Sequence, residues 1–148
     1  MDIISGKIVN GHGVASGRAR DPRFPEGTLA LQWPIFEING LNLDRYYRAT
    51  INISVFPLKP NPVNPTYTFK NIKWHSDCPA EDFSFFEVRL SVGLSQCVTG
   101  LIYWPHPETK PEHFQDPSVI EVTAPKIDEV SSNNSVRLWV DPRTIFFD

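Results

Sequence analysis

A glycine-rich segment near the start of the chain has a composition suited to binding phosphate. It reads Gly11-His12-Gly13-Val14-Ala15-Ser16-Gly17. Because glycine has no Cβ, a backbone with closely spaced glycines can turn sharply and approach a ligand closely. Short glycine motifs are also typical of ordinary turns between strands, so this segment alone leaves a phosphate loop and a simple turn both open.

A second segment offers oxygen ligands for a hard cation. The stretch Thr50-Ile51-Asn52-Ile53-Ser54-Val55 alternates polar and apolar residues, so a strand here places Thr50, Asn52 and Ser54 on one face. Neighbours on one face of a strand are about 6.6 Å apart. A hydroxyl and an amide oxygen at this spacing are ligands of the kind that Mg²⁺ accepts. A half-buried strand with a polar outer face gives the same pattern, so both interpretations stay open.

Composition and charge limit the classes of partner. With 148 residues, the chain is expected to form one domain, 1–148, with a sizeable core. Its 14 Lys and Arg against 17 Asp and Glu give a net charge of -3 without a basic block, so we expect no nucleic-acid partner. No apolar run is long enough for a membrane span and no secretion signal is evident, so we expect a soluble, cytoplasmic protein. Cys78 and Cys97 are expected to be free thiols.

Many short strands must position the two candidate segments. The 14 prolines and 8 glycines favour short strands joined by irregular loops, and no long helical periodicity is present. We therefore expect a mainly β fold, a closed barrel of six to eight strands with one or two short helices. The alternation predicts strands at 3–9, 50–55, 66–69, 72–75, 86–92, 97–104, 118–124 and 136–140, weak alternation at 28–32 and a short helical turn at 34–40.

The order of these pieces resembles the archaeal CTP-dependent riboflavin kinase family, whose fold is a cradle-loop barrel. The family pattern has a strand and glycine loop, a Thr-Leu-Asn element, a glycine-containing hairpin, a proline-rich loop, and an Ile-Glu-Ile strand before Ala-Pro. The corresponding pieces occur here in family order over most of the chain: Gly6-Lys7-Ile8-Val9-Asn10-Gly11-His12-Gly13, Arg48-Ala49-Thr50-Ile51-Asn52, 81–88, Thr99-Gly100-Leu101-Ile102-Tyr103-Trp104-Pro105 and Val119-Ile120-Glu121-Val122-Thr123-Ala124-Pro125.

The resemblance implies phosphoryl transfer from a nucleoside triphosphate, CTP in the family, to the hydroxyl of a small flavin-like acceptor. Mg²⁺ is the implied cofactor, with Thr50 and Asn52 as its ligands. Glu121 and Thr109 are the implied acceptor contacts, and the general base is not identified. The implied nucleotide contacts are Gly11, His12, Gly13, Val14, Ala15, Ser16 and Lys126.

Three segments differ from the family pattern, one of which is the region 22–42, where the family has a helical segment. The other two support an alternative function. Arg48-Ala49 stands where the family has Pro-Gly, and Lys126-Ile127-Asp128-Glu129 stands where it has a Lys-Leu-Arg stretch. Two carboxylates at the second place repel a triphosphate unless Mg²⁺ or Lys126 compensates. The alternative is a barrel that binds a small molecule or a protein without turnover.

A third alternative is a hydrolase or metal enzyme. Its candidate residues have suitable side chains, but no pair has the helical or Cys-x-x-Cys spacing that makes such an assignment specific. Histidines that face solvent or satisfy local hydrogen bonds are the ordinary case. The candidates are His75, Asp77, Cys78, His106 and His113.

Overall fold

Alternating apolar and polar residues close six strands of this chain into an antiparallel barrel. The structure is a computed structural model, and it describes residues 1–9, 28–109, 116–127, 130 and 134–148. Its elements are β1 (Asp2–Ile8), α1 (Thr28–Ile38), β2 (Ile51–Ser54), β3 (Pro60–Pro62), β4 (Tyr67–Ile72), β5 (Glu81–Val92), β6 (Val98–Pro105), β7 (Val119–Thr123), β8 (Ser135–Val140) and β9 (Ile145–Phe147).

The barrel closes because β5 is long enough to pair with three strands. The order around the barrel is β5-β6-β7-β2-β1-β8, and β8 returns to pair with Arg89–Val92 at the end of β5. The first half of β5 instead pairs with β4, which lies outside the barrel. The predicted mainly β fold with a closed barrel is confirmed, with six barrel strands and one short helix in the described part of the chain.

Two apolar cores lie on opposite faces of the sheet. Side chains of the barrel strands that point inward, such as Ile53, Leu90 and Leu138, form the barrel core. The outward side chains of β5 and β6 form the second core, which α1 covers with Leu29, Trp33 and Phe36. Burial of both faces explains why the residues from Phe83 to Phe86 in the first half of β5 are all buried, whereas buried and more exposed residues alternate in its second half.

The helix differs from the prediction for its region. We predicted weak strand alternation at 28–32 and a helical turn at 34–40, whereas one helix, α1, spans both. Pro34 lies inside it, although proline has no N–H to continue the helical ladder. Leu29, Trp33 and Phe36 follow each other at helical spacing and are buried, so tertiary packing outweighs the local signal of the proline.

Most predicted strands are present with altered ends. The first predicted strand, the strand at 50–55, the hairpin at 86–92 and 97–104, and the two last strands correspond to β1, β2, β5, β6, β7 and β8. The predictions at 66–69 and 72–75 are partly wrong, because one strand, β4, ends at Ile72 with a register shift after Phe69. Asn71 in that irregular stretch has a φ of 57°. The pair of β3 and β9 was not predicted, since its strands have only three residues each.

Gly100 is a position where the barrel accepts no side chain. A Cβ built there would lie 2.8 Å from the carbonyl oxygen of Thr123 on β7 and 3.1 Å from Leu90 Cδ2. We expect Gly100→Ala to lower the free energy of unfolding by about 1–3 kcal/mol, because β6 and β7 must separate to admit the methyl group. Urea denaturation measures this change. An unchanged midpoint would show that the two strands are not packed this closely.

Among the described residues, no helix has the length and apolar character needed to span a bilayer.

Candidate functional site

A row of outward-facing side chains crosses three neighbouring strands of the barrel. Glu121 at the middle of β7 is the register partner of Tyr103 on β6 and of Asn52 on β2. Residues directly opposite each other in antiparallel strands have Cβ atoms about 4.5–5.5 Å apart. The structure therefore brings the predicted metal ligand Asn52 beside the predicted acceptor contact Glu121, although 69 positions separate them in the sequence.

Thr50 joins the same group through its hydroxyl. Thr50 Oγ1 donates a hydrogen bond to Glu121 Oε1 at 3.0 Å. All three side chains are half-buried on the outer surface of the barrel. A hydroxyl, an amide and a carboxylate thus form one cluster of oxygen atoms, which we call the Asn52 cluster (Thr50, Asn52 and Glu121).

The Oδ1 atom of Asn52 is the buried side-chain oxygen that lacks a hydrogen-bond partner among the described residues. A buried carbonyl oxygen without a partner costs about 1–3 kcal/mol, so such atoms are rare, and a water, an ion or a ligand can supply the missing partner. The donor set also has the right chemistry for a hard cation, which prefers carboxylate, carbonyl and hydroxyl oxygens. The residues present therefore fit the Mg²⁺ that the sequence predicts.

The Asn52 cluster lies at the end of the barrel where the glycine loop begins. β1 ends, β2 starts and β7 ends at this same side, because β2 runs antiparallel to both of its neighbours. The N–H of Val9 donates to the carbonyl oxygen of Asn52 at 2.9 Å, which fixes the point where the chain leaves β1. Residues 11–16, the predicted phosphate loop, lie outside the described residues.

Tyr103, a buried tyrosine on β6, lies beside Glu121 of the Asn52 cluster. The Tyr103 hydroxyl donates to Gln32 Oε1 of α1 at 2.6 Å, and the Gln32 side chain is itself buried. Burial raises the pKa of the Tyr103 phenol well above 10.0, and the negative charges of Glu121 and Glu81 raise it further. Tyr103 therefore stays a neutral hydrogen-bond donor between the helix and the cluster.

This tyrosine makes the stability of the protein sensitive to alkaline pH. The phenol has its ordinary pKa near 10.0 in the unfolded chain and a higher one in the fold, so its contribution is complete below pH 10. We expect that contribution to fall as the pH rises above 10, because the unfolded chain then loses the proton more readily. Urea denaturation between pH 9 and 11 would show a decline that is smaller in Tyr103→Phe. An equal decline in the wild type and in Tyr103→Phe would show that the pKa of Tyr103 is not the cause.

The remaining predicted site residues lie away from this row. Thr109 Oγ1 accepts a hydrogen bond from the N–H of Asp82 at 2.9 Å and donates to the carbonyl oxygen of His106 at 3.2 Å, near the start of β5. Lys126 is exposed, three residues beyond the end of β7. Within the described part of the chain, no hydrogen bond joins the side chain of Thr109 or Lys126 to the Asn52 cluster.

A serine, a histidine and a carboxylate meet where β6 ends, a set that the sequence did not predict. Ser84 Oγ lies 2.6 Å from His106 Nε2, and His106 Nδ1 lies 3.1 Å from Glu108 Oε1. The order matches that of a hydrolase triad, but the Ser84 side chain is 1% exposed and also contacts the Thr68 hydroxyl at 3.0 Å. Because its hydroxyl faces no open surface, this set is a polar contact that ties residues 106–109 to β5.

The other candidates for a hydrolase or metal enzyme do not assemble either. His75 Nδ1 accepts a hydrogen bond from the N–H of Asp77 at 3.1 Å, a local turn contact. Cys78 and Cys97 are free thiols, as predicted, and Cys78 is buried. Over the described ranges of the chain, no three His, Cys, Asp or Glu residues group as they would around a metal ion. His113 lies outside the described residues.

Sequence reasoning missed Gln32 and Tyr103 as neighbours of the candidate site. Both carry polar groups on elements whose other residues are mostly apolar. The signal that was available is the alternation of β6, which puts Tyr103 on the outer face together with Leu101.

Comparison with models of known protein families and with curated proteins returns no match for this chain. The family expectation therefore rests on the residues quoted above.

Proposed function

We propose that this protein is a Mg²⁺-dependent phosphotransferase, which moves a phosphoryl group from a nucleoside triphosphate to the hydroxyl of a small flavin-like molecule. The observation that carries the proposal is the Asn52 cluster. Three residues that the sequence assigned to metal and acceptor binding come together on β2 and β7, and the buried oxygen of Asn52 has no partner among the described residues.

The position of the cluster in the fold supports the same function. Phosphoryl transfer depends on placing donor and acceptor together and on neutralising phosphate charge. The strand that leads into the glycine loop is hydrogen-bonded to Asn52 through Val9. β1 therefore ends beside the cation ligands and the acceptor contact.

Each residue of the cluster has a distinct role in the proposed reaction. Asn52 Oδ1 and Thr50 Oγ1 would hold the cation, which would supply positive charge against the phosphate oxygens. The Thr50 hydrogen bond fixes one carboxylate oxygen of Glu121. The Glu121 carboxylate then accepts a hydrogen bond from the acceptor hydroxyl and orients it toward the donor. Tyr103 remains protonated and holds α1 in place through Gln32.

Nucleotide-dependent thermal stability tests this proposal. We would measure the melting temperature with CTP, ATP, GTP and UTP, each with and without Mg²⁺ and riboflavin. A ligand that binds only the folded state raises stability, by about 2.7 kcal/mol at a hundred times its Kd. We expect a Mg²⁺-dependent rise with one nucleotide. No rise with any of the four would contradict the proposal and favour a non-catalytic barrel that binds another ligand.

A further inference from the structure

A groove on the outer surface of the barrel reaches Ser54, two residues from Asn52 on β2. It crosses the outward faces of β8, β1 and β2 and has a volume of about 890 Å³. Sites for small molecules usually have volumes of about 300–1,000 Å³. Leu94, in the turn after β5, lines it on one side, and Phe56, two residues after β2, lines it on the other.

Among the described residues that line this groove, the charged side chains are positive and none is a carboxylate. Its two charged residues are Lys7 of β1 and Arg137 of β8. Neither forms an ion pair with a carboxylate in the described part of the chain. Because both charged residues of the described lining are positive, the local potential favours an anionic ligand, although the chain has a net charge of -3. Three serine hydroxyls in the lining can act as further donors, those of Ser5, Ser54 and Ser135. The hydroxyl of Ser91, which also lines the groove, donates to the carbonyl oxygen of Ser95 at 2.9 Å.

The strand register arranges the groove residues in a line that leads to Asn52. Lys7 is opposite Ser54, two residues from Asn52 on the same face of β2. Arg137 is opposite Ser5, two residues from Lys7 on the same face of β1. Such diagonal neighbours in antiparallel strands are about 7–8 Å apart. The order along the line is Asn52, Lys7, Arg137 and then Trp139, the next outward residue of β8.

This order matches the chemistry of a nucleoside triphosphate. The terminal phosphate needs a cation, the inner phosphates need positive side chains, and the base needs a flat apolar surface. Asn52 belongs to the cation site, Lys7 and Arg137 supply the charge, and the half-buried Trp139 supplies an aromatic face. We propose that this groove binds the nucleotide donor, with its phosphate chain across Lys7 and Arg137 and its base against Trp139.

The inference rests on the proposed function, because it identifies where the donor of that reaction binds. It also adds residues to the predicted nucleotide site, which included only the glycine loop and Lys126. Inorganic tripolyphosphate is the probe for the phosphate part, since it has the charge of the donor and no base. The nucleotide that stabilises the protein in the thermal experiment is the probe for the whole groove.

Titration by calorimetry and by amide NMR shifts tests the groove. We expect tripolyphosphate to shift the amides of β1 and β8 saturably without Mg²⁺. Lys7→Gln and Arg137→Gln should each weaken its binding about tenfold, since each removes a charge-assisted contact. Trp139→Phe should leave tripolyphosphate binding unchanged and weaken nucleotide binding. Lys70→Gln, the same charge change at an exposed position of β4, is the matched control and should change neither.

The outcomes separate this inference from the proposed function. If Lys7→Gln and Arg137→Gln bind nucleotide and tripolyphosphate as tightly as Lys70→Gln does, the groove inference is overturned even where Mg²⁺-dependent stabilisation persists. If tripolyphosphate binds the groove as expected but no phosphoryl transfer occurs with any nucleotide, the groove stands as a polyphosphate site and the proposed function fails.

Discussion

Replacing Phe36 with alanine is expected to lower the free energy of unfolding by about 3–5 kcal/mol, the usual cost of removing a large buried aromatic ring. Phe36 is 0% exposed and lies at the centre of the second core. Its ring packs edge-on against Phe83 and Phe85, with centroid distances of 5.2 and 5.1 Å, and it stacks on Phe69 at 5.8 Å. The lost contacts join α1 to β4 and β5, so the helix should detach before the barrel unfolds.

Chemical denaturation of a matched pair measures this effect. Ile38→Ala removes an apolar side chain from the same helix at a position that is 84% exposed, and it should change stability by no more than about 0.5 kcal/mol. If Phe36→Ala does not fold, Phe36→Leu can be measured in its place, because leucine keeps part of the packing of the ring. Equal losses for Phe36→Ala and Ile38→Ala would show that α1 does not pack on the sheet as described.

Replacing Asn52 with leucine is expected to preserve the stability of the metal-free protein and to remove its Mg²⁺-dependent stabilisation by nucleotide. Leucine has nearly the shape of asparagine and no oxygen, so it removes the unpartnered Oδ1 atom. Exchanging an unsatisfied buried polar group for an apolar one of similar shape is nearly neutral or stabilising. We therefore expect the metal-free variant to be as stable as the wild type or more stable. Mg²⁺-dependent stabilisation by nucleotide should disappear, and transfer should slow by at least about a hundredfold.

The control for Asn52→Leu is the same change at an exposed place. Asn64, in the connection between β3 and β4, is exposed, and Asn64→Leu should leave nucleotide binding and transfer unchanged. A metal-free Asn52→Leu protein that is much less stable than the wild type would indicate that the amide makes a structural contact. Mg²⁺-dependent stabilisation that survives in Asn52→Leu would remove Asn52 from the cation site.

The barrel was predictable from the sequence because strand alternation is a local signal. In β2 and in the first four residues of β8, apolar residues that face the core alternate with polar ones that face outward, and this pattern needs no knowledge of the neighbouring strands. The extent of α1 was not predictable in the same way, because Pro34 argues locally against a long helix. The packing of Trp33 and Phe36 against β5 decides its length, and that contact is visible only in three dimensions.

The candidate site was predictable in its residues but not in its assembly. Thr50 and Asn52 lie on one strand, so their shared face follows from the period of two. The meeting of Asn52 with Glu121 depends on the register between β2 and β7, which no local pattern specifies. For the same reason the groove was missed, since Lys7 and Arg137 come from opposite ends of the chain and meet only because β1 pairs with β8.

The transfer of phosphate to an acceptor tests the central claim most directly. We would follow the ³¹P NMR spectrum of the stabilising nucleotide, mixed with riboflavin and Mg²⁺, in the presence of the wild-type protein or of Asn52→Leu. The proposal predicts that the wild type produces a nucleoside diphosphate together with a phosphate monoester of the acceptor, and that the variant is at least about a hundredfold slower. Formation of neither product, or equal rates in the two proteins, would contradict it.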